Sequence, residues 1–255
     1  MSTPDVIPFA RRAFALARTE IAALGALFVM AVGCLSFAEL AEDIREPDGM
    51  AFDARILHLL RPYADDPSRP WGPWWLKEAT SDITSLGGIS VLALFATIVI
   101  IFLLIQRKWL SSALLVVGLG GGVMLSEGLK AVFERDRPPA LYRATETINA
   151  SFPSGHALLS AVFYLSLGVM LTRAFPEKRF KAYVLGVGIL ITLLIGTTRI
   201  YLGAHWASDV FAGWSVGAAW ATALWLVSYV VSRRQRRHGA PLQDEATPDV
   251  GSRRA

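Results

Sequence analysis

The chain has 255 residues, is 53% hydrophobic, has a mean hydropathy of +0.43 and carries a formal charge of +4. That is more apolar than an ordinary soluble domain, and the single cysteine excludes a disulfide framework. The basic residues cluster between apolar runs, so the positive charge reads as membrane topology and no nucleic-acid partner is expected.

Six runs approach the ~20 residues needed to cross a bilayer core. They lie at 21–38, 89–105, 110–133, 156–173, 182–198 and 206–231. The predicted fold is all-α: a polytopic membrane protein with about six transmembrane helices. Residues 1–20 read as a cytoplasmic N-terminal segment, 21–231 as one membrane domain and 232–255 as a disordered basic cytoplasmic tail. Ser36-Phe37-Ala38 resembles a signal cleavage site, but the preceding run is long for a signal peptide and is read as a membrane helix.

The longest polar stretch, 39–88, holds ten acidic and five basic residues. Within it Phe52, Ile56, Leu59 and Leu60 recur at helical spacing, which predicts a short helix on the membrane surface in the first external loop. It reads as a structural anchor. Trp71, Trp74 and Trp75 suit an interfacial belt. Gly118, Gly120, Gly121 and Gly122, and later Gly213 and Gly217, predict close helix packing.

Segments 1–20, 106–109, 174–181 and 232–255 carry 14 Lys and Arg in 56 positions, whereas the alternate loops carry 9 in 79. The positive-inside rule places both termini in the cytoplasm and the alternate loops outside, in an inner or plasma membrane.

Three polar clusters fall on that external side. Lys130 and Arg137 are seven apart, nearly two helical turns, which predicts two cations on one helix face before Pro138 stops the helix. Pro153-Ser154-Gly155-His156 reads as the start of a helix: Ser154 is a capping residue, Gly155 permits close backbone approach, and the N–H groups form an anion site beside His156. There an anion would favour protonated His156, the form a general acid needs. His205 and Asp209 are four apart, so a carboxylate can fix one imidazole nitrogen and leave the other as a nucleophile or base. Arg199 lies across the Gly203 turn and completes a cationic cradle. Charges beside membrane runs cost free energy, about 2.5–3.5 kcal/mol each at a helix centre, and usually mark function.

The ordered pattern KxxxxxxRP, PSGH, RxxxxxHxxxD over residues 130–209 resembles the signature of the type-2 phosphatidic acid phosphatase/vanadium haloperoxidase superfamily. The stretches TSLGG at 84–88 and RIYLGAHWASDVFAG at 199–213 look like its bacterial membrane members. Thr198 stands where many members have Ser before the arginine. The resemblance implies a lipid phosphatase that uses no metal or other cofactor. By position, His205 would form a phosphohistidine, Asp209 would orient it, and His156 would protonate the leaving group. Lys130, Arg137, Ser154, Gly155 and Arg199 would bind the phosphate. The expected partners are the bilayer and a lipid phosphate or pyrophosphate, of phosphatidic acid, phosphatidylglycerophosphate, undecaprenyl pyrophosphate or lipid A type. A haloperoxidase, a metal hydrolase using His156, His205 and Asp209, and a transporter or anion-binding protein are the rival readings.

Overall fold

The computed structural model describes residues 6–145, 149–174 and 177–238, and it is all-helical among them. In order, the helices are α1 (Val6–Asp43), α2 (Pro47–Leu59), α3 (Trp74–Ser85), α4 (Ile89–Ile105) and α5 (Trp109–Phe133). After a 3₁₀ turn (Ala140–Tyr142) come α6 (Gly155–Ser160), a π-helical turn (Ala161–Leu165), α7 (Ser166–Ala174), α8 (Lys178–Tyr201) and α9 (Ala207–His238).

Five of these runs are long and apolar enough to cross a membrane: Glu20–Asp43, Trp109–Phe133, Gly155–Thr172, Lys178–Tyr201 and Ala207–Arg234. A sixth arises if α3 and α4, bent by 47°, form one broken span. The sequence places six spans because the run at 89–105 is apolar on every face, and in the structure it forms the 17-residue α4.

The bundle is oily on its outside. Phe28, Leu35, Ile105 and Met124 are 70%, 69%, 72% and 78% exposed, as helices facing hydrocarbon require. Inside, Leu92, Ala96, Leu115, Leu158, Leu159, Val162 and Phe163 form the core. Small residues pack closely at Gly118, Gly121, Gly122, Gly213 and Gly217, as the glycine pattern predicts, whereas a Cβ on Gly120 would meet nothing within 4 Å. A Cβ on Gly213 would stand 2.6 Å from the carbonyl of Ser154, and one on Gly217 2.6 Å from that of Leu158. Helix α9 therefore lies directly against α6. Near the polar end of the bundle, Phe37 stacks on Phe152 and Phe133 meets both rings edge-on, packed with Ile44 and Ala212.

The structure adds to three expectations. The loop 39–88 holds the expected short helix as α2 and a second one, α3, which Trp74 and Trp75 open. Both remain exposed, as does Trp71. The polar tail does not begin at 232: α9 continues to His238, since its Arg- and Gln-rich sequence suits a helix and Arg233 pairs with Glu20 at 2.7 Å. Residues 239–255 lie outside the described residues. Helix α1 likewise reaches back to Val6, well into the segment 1–20.

Candidate active site

All the singled-out charges sit at one end of the bundle. Lys130 is in the last turn of α5, Arg199 in the last turn of α8, His156 in the first turn of α6 and Asp209 in the first turn of α9. None is at mid-membrane, where a solute pathway would place them. Lys130, Arg137, Gly155, His156, Arg199 and His205 line one cavity of about 390 Å³. A separate apolar groove of about 260 Å³, between α1, α5, α7 and α9 and lined by residues such as Val29 and Trp225, holds no ionisable side chain.

Lys130 and Arg137 meet in the cavity by a route the spacing did not predict. Helix α5 ends at Phe133, and Glu134 turns the chain with φ 45°, in the left-handed region. Arg137 thus stands on a loop, not on the helical face of Lys130. Its Nε donates to the carbonyl of Asn149, and its Nη1 to that of Ala204 at 2.7 Å. These bonds fix the guanidinium beside Nε2 of His205. Lys130 reaches the cavity from α5, its Nζ 2.7 Å from Glu127 one turn earlier.

Ser154 caps α6 as expected, accepting from the backbone N–H of Ala157 at 3.5 Å. Ser154 thereby sets where the helix starts, and it adjoins Gly155 and His156, which line the cavity. Its own N–H donates to the carbonyl of Asp209 at 2.9 Å, which hangs the PSGH turn on α9. Gly155 faces the cavity, and a Cβ there would lie 3.2 Å from Ser126 Oγ and 3.6 Å from Lys130 Nζ. His156 packs over the break between α3 and α4, where a Cβ on Gly87 would meet its ring at 3.3 Å. This is the TSLGG stretch, and its Thr84 Oγ1 accepts from Arg199 Nη1 at 3.3 Å.

Gly203, at φ +66°, makes the turn from α8 into the next cluster; a Cβ would fall 2.5 Å from the carbonyl of Tyr142. His205 follows, before α9 begins, and its backbone N–H bonds back to Arg199. Asp209 then reaches back to the N–H of Trp206 at 2.9 Å, closing the helix start in the manner of a capping box. The same carboxylate oxygen lies 3.4 Å from His205 Nδ1, and Ser151 Oγ is also 3.4 Å from that nitrogen while donating to Asp209.

The tautomer of His205 follows from its other neighbour. Arg137 Nη1 is 3.1 Å from His205 Nε2, and a guanidinium can only donate. Nε2 must therefore accept, which leaves the proton on Nδ1, toward Asp209 and Ser151. Burial, only partly opposed by Asp209, lowers the His205 pKa to about 4, so the ring is neutral at pH 7. Burial also lowers the Arg137 pKa, and Asp209 opposes that shift.

Two buried polar atoms in this region, Arg199 Nε and Ser126 Oγ, have no partner among the described residues. Buried donors of this kind normally find one, so the cavity is built for a ligand with acceptor oxygens. Among the described residues no group of three or more His, Cys, Asp and Glu is placed to hold a metal ion.

The site also contains residues the sequence reading passed over. Arg135 donates to Asp209 at 2.6 Å, to Ser208 Oγ at 2.7 Å and to Asp53 at 2.7 Å. Ser151 and Ser126 were missed as well. Arg135 lies two residues before Arg137 and carries its own charge beside Pro138, which was the available signal.

Fold and site together define a multi-pass membrane hydrolase of phosphoric esters. Residues 109–233 match the family model of the PAP2 superfamily, and the chain belongs to that superfamily. It is 33% identical over 144 residues to "Phosphatidylglycerophosphatase B" of Bacillus subtilis, covering 56% of this chain and 70% of that protein. It is 29% identical over 123 residues to the "Undecaprenyl-diphosphatase" of Sulfolobus acidocaldarius, covering 46% and 55%. Its fold matches the crystal structure of a transmembrane PAP2-type phosphatidylglycerolphosphate phosphatase from Bacillus subtilis, with a TM-score of 0.74 and 26% identity over 81% of this chain and 98% of that one.

Proposed function

We propose that the chain hydrolyses a lipid phosphate or lipid pyrophosphate without a metal, through a phosphohistidine on His205, at the external face of an inner or plasma membrane. The observation that carries this reading is the accepting Nε2 of His205, aimed into a cavity that Lys130, Arg137 and Arg199 make cationic. A nucleophile needs that lone pair, and a phosphoryl group in flight needs those charges.

In the first half-reaction Nε2 attacks phosphorus, the N–P bond forms and the P–O bond to the lipid breaks. His156, protonated beside the bound anion, gives its proton to the departing alkoxide. In the second, His156 takes a proton from water, whose oxygen bonds to phosphorus as the N–P bond breaks and its electron pair returns to Nε2. Inorganic phosphate leaves and His156 is again protonated. Arg137 moves from Nε2 to the phosphoryl oxygens as they arrive, and Arg199 Nε and the N–H groups of the α6 first turn donate to the others. Asp209 holds the Nδ1 proton throughout.

Three cations make a divalent metal an unwelcome neighbour, which supports metal independence. The surplus of basic residues on the opposite loops supports an external site with both termini cytoplasmic. The names of the similar proteins favour a phospholipid monoester such as phosphatidylglycerophosphate as the first substrate to try, with a polyprenyl diphosphate second.

The test is phosphate release by purified protein in detergent with EDTA, across phosphatidylglycerophosphate, phosphatidic acid, undecaprenyl pyrophosphate and lipid A. Release that survives EDTA and vanishes in His205→Ala is expected. No release from any of them, or release only with added divalent metal, would refute the reading. For topology, a cysteine at Leu141, in a Cys34→Ser background, should be labelled from outside the cell.

A further inference from the structure

Behind His205, on the side away from the cavity, a second set of charges is buried that phosphate binding does not use. Asp53 lies in α2 and is 2% exposed. Its Oδ1 accepts from the backbone N–H of Ser208 at 3.0 Å, and its Oδ2 from Ser208 Oγ and from Arg135 Nη2. Arg135 turns its Nη1 to Asp209 Oδ1. Asp209 Oδ2 in turn faces His205 Nδ1. An unbroken chain of polar contacts thus runs from the external helix α2 to the imidazole. Neither Asp53 nor Arg135 lines the cavity.

The geometry of the fork gives this chain its meaning. Arg135 offers two sides of one planar group, and Asp53 occupies one of them. Asp209 receives Arg135 Nη1 on Oδ1, while its Oδ2 accepts from the Trp206 N–H and Ser151 Oγ and faces His205 Nδ1. Without the Asp53 charge, Arg135 is free to take both oxygens of Asp209 in a bidentate pair and draw the carboxylate off Nδ1. Buried Arg61, two residues beyond α2, separately ties this region to the carbonyls of Tyr142 and Tyr201.

We propose that Asp53 is a positioning residue for His205, acting through Arg135 and Ser208 to fix the one oxygen of Asp209 that holds the Nδ1 proton. This rests on the reading of His205 as nucleophile.

The test uses the purified full chain in detergent with Asp53→Asn, which keeps the volume and an acceptor for the Ser208 N–H. The expected result is a fall in kcat of about 10–100-fold, the usual cost of losing a partner that orients a working group. KM should stay within about twofold. Inhibition by vanadate, which mimics five-coordinate phosphorus on the histidine, should weaken with kcat, while inhibition by inorganic phosphate should not change. Ser208→Ala, which removes one hydroxyl, should show the same split with a smaller loss, and it decides the matter alone if Asp53→Asn fails to fold. Wild-type kcat in these variants, or equal weakening of vanadate and phosphate, would overturn the proposal. His205→Ala run alongside separates the two readings. If it is inactive while Asp53→Asn is fully active, only the positioning role fails; if it is active, the nucleophile reading itself fails.

Discussion

The two sides of His205 are built on opposite principles. Toward the cavity, Lys130, Arg137 and Arg199 converge with one lining carboxylate among the described residues, the exposed Glu127, and buried atoms such as Arg199 Nε find no partner among those residues. Away from it, Asp53, Arg135, Ser151, Ser208 and Asp209 satisfy one another in a closed network. The contrast teaches where ligand binding energy enters. An unsatisfied front face gains on meeting an anion, because its charges are already desolvated and aimed. A saturated back face has nothing to gain from a ligand and serves to hold the ring still.

Substitutions on the two faces should therefore fail differently. The largest effect is expected for Asp209→Asn, which keeps the shape but no longer demands a proton on Nδ1. By analogy with the serine protease triad, kcat should fall by about 10⁴-fold with little change in KM. A mainly raised KM would mean the back face binds substrate. Next is Arg199→Ala on the front face, expected to cost about 10²–10³-fold in kcat/KM and to weaken inhibition by both phosphate and vanadate. Loss of vanadate affinity alone would blur the distinction between the faces.

Much of this arrangement was legible in the sequence. The spans follow from apolar runs of bilayer length, and the cavity residues stand at motif spacings beside those runs, where a charge needs a reason. The back face was hidden for a physical reason. Asp53 lies in a loop rich in acidic residues, where a carboxylate looks solvated, and the stripe of Phe52, Ile56, Leu59 and Leu60 drew attention to the face of α2 turned toward the membrane. In the structure Phe52 and Leu59 are exposed, and Asp53 and Leu57 point inward. Arg135 hides among the alternating charges of Glu134-Arg135-Asp136-Arg137. Its importance is a matter of pairing with residues more than 70 positions away, which no local pattern encodes. Arg137 shows the converse: helical spacing gave the right destination although the helix ends first, because the loop brings it back to the same cavity.

Two smaller effects sharpen the comparison. Glu127→Gln frees Lys130 from its exposed partner, and such pairs contribute about 0–1 kcal/mol, so inorganic phosphate should inhibit up to about fivefold more tightly. Weaker inhibition would mean that Glu127 belongs to the binding set. The pH response of the free protein should report the burial of His205. Because burial lowers its pKa to about 4, the ring stays neutral as pH falls from 7 to 5 and gains its proton only below that. The ¹⁵N shifts of His205 should keep the signature of a neutral, Nδ1-protonated ring over that range. A titration near the ordinary value of about 6.5 would place water against the ring.

The central claim is that His205 carries the phosphoryl group. It is tested most directly by mixing the protein with a ³²P-labelled lipid phosphate in EDTA, quenching in alkali, and mapping the label. The account predicts alkali-stable, acid-labile label on the peptide containing His205, formed faster than phosphate is released and absent from His205→Ala. Phosphate release at the wild-type rate with no labelled peptide, or label on another residue, would contradict it.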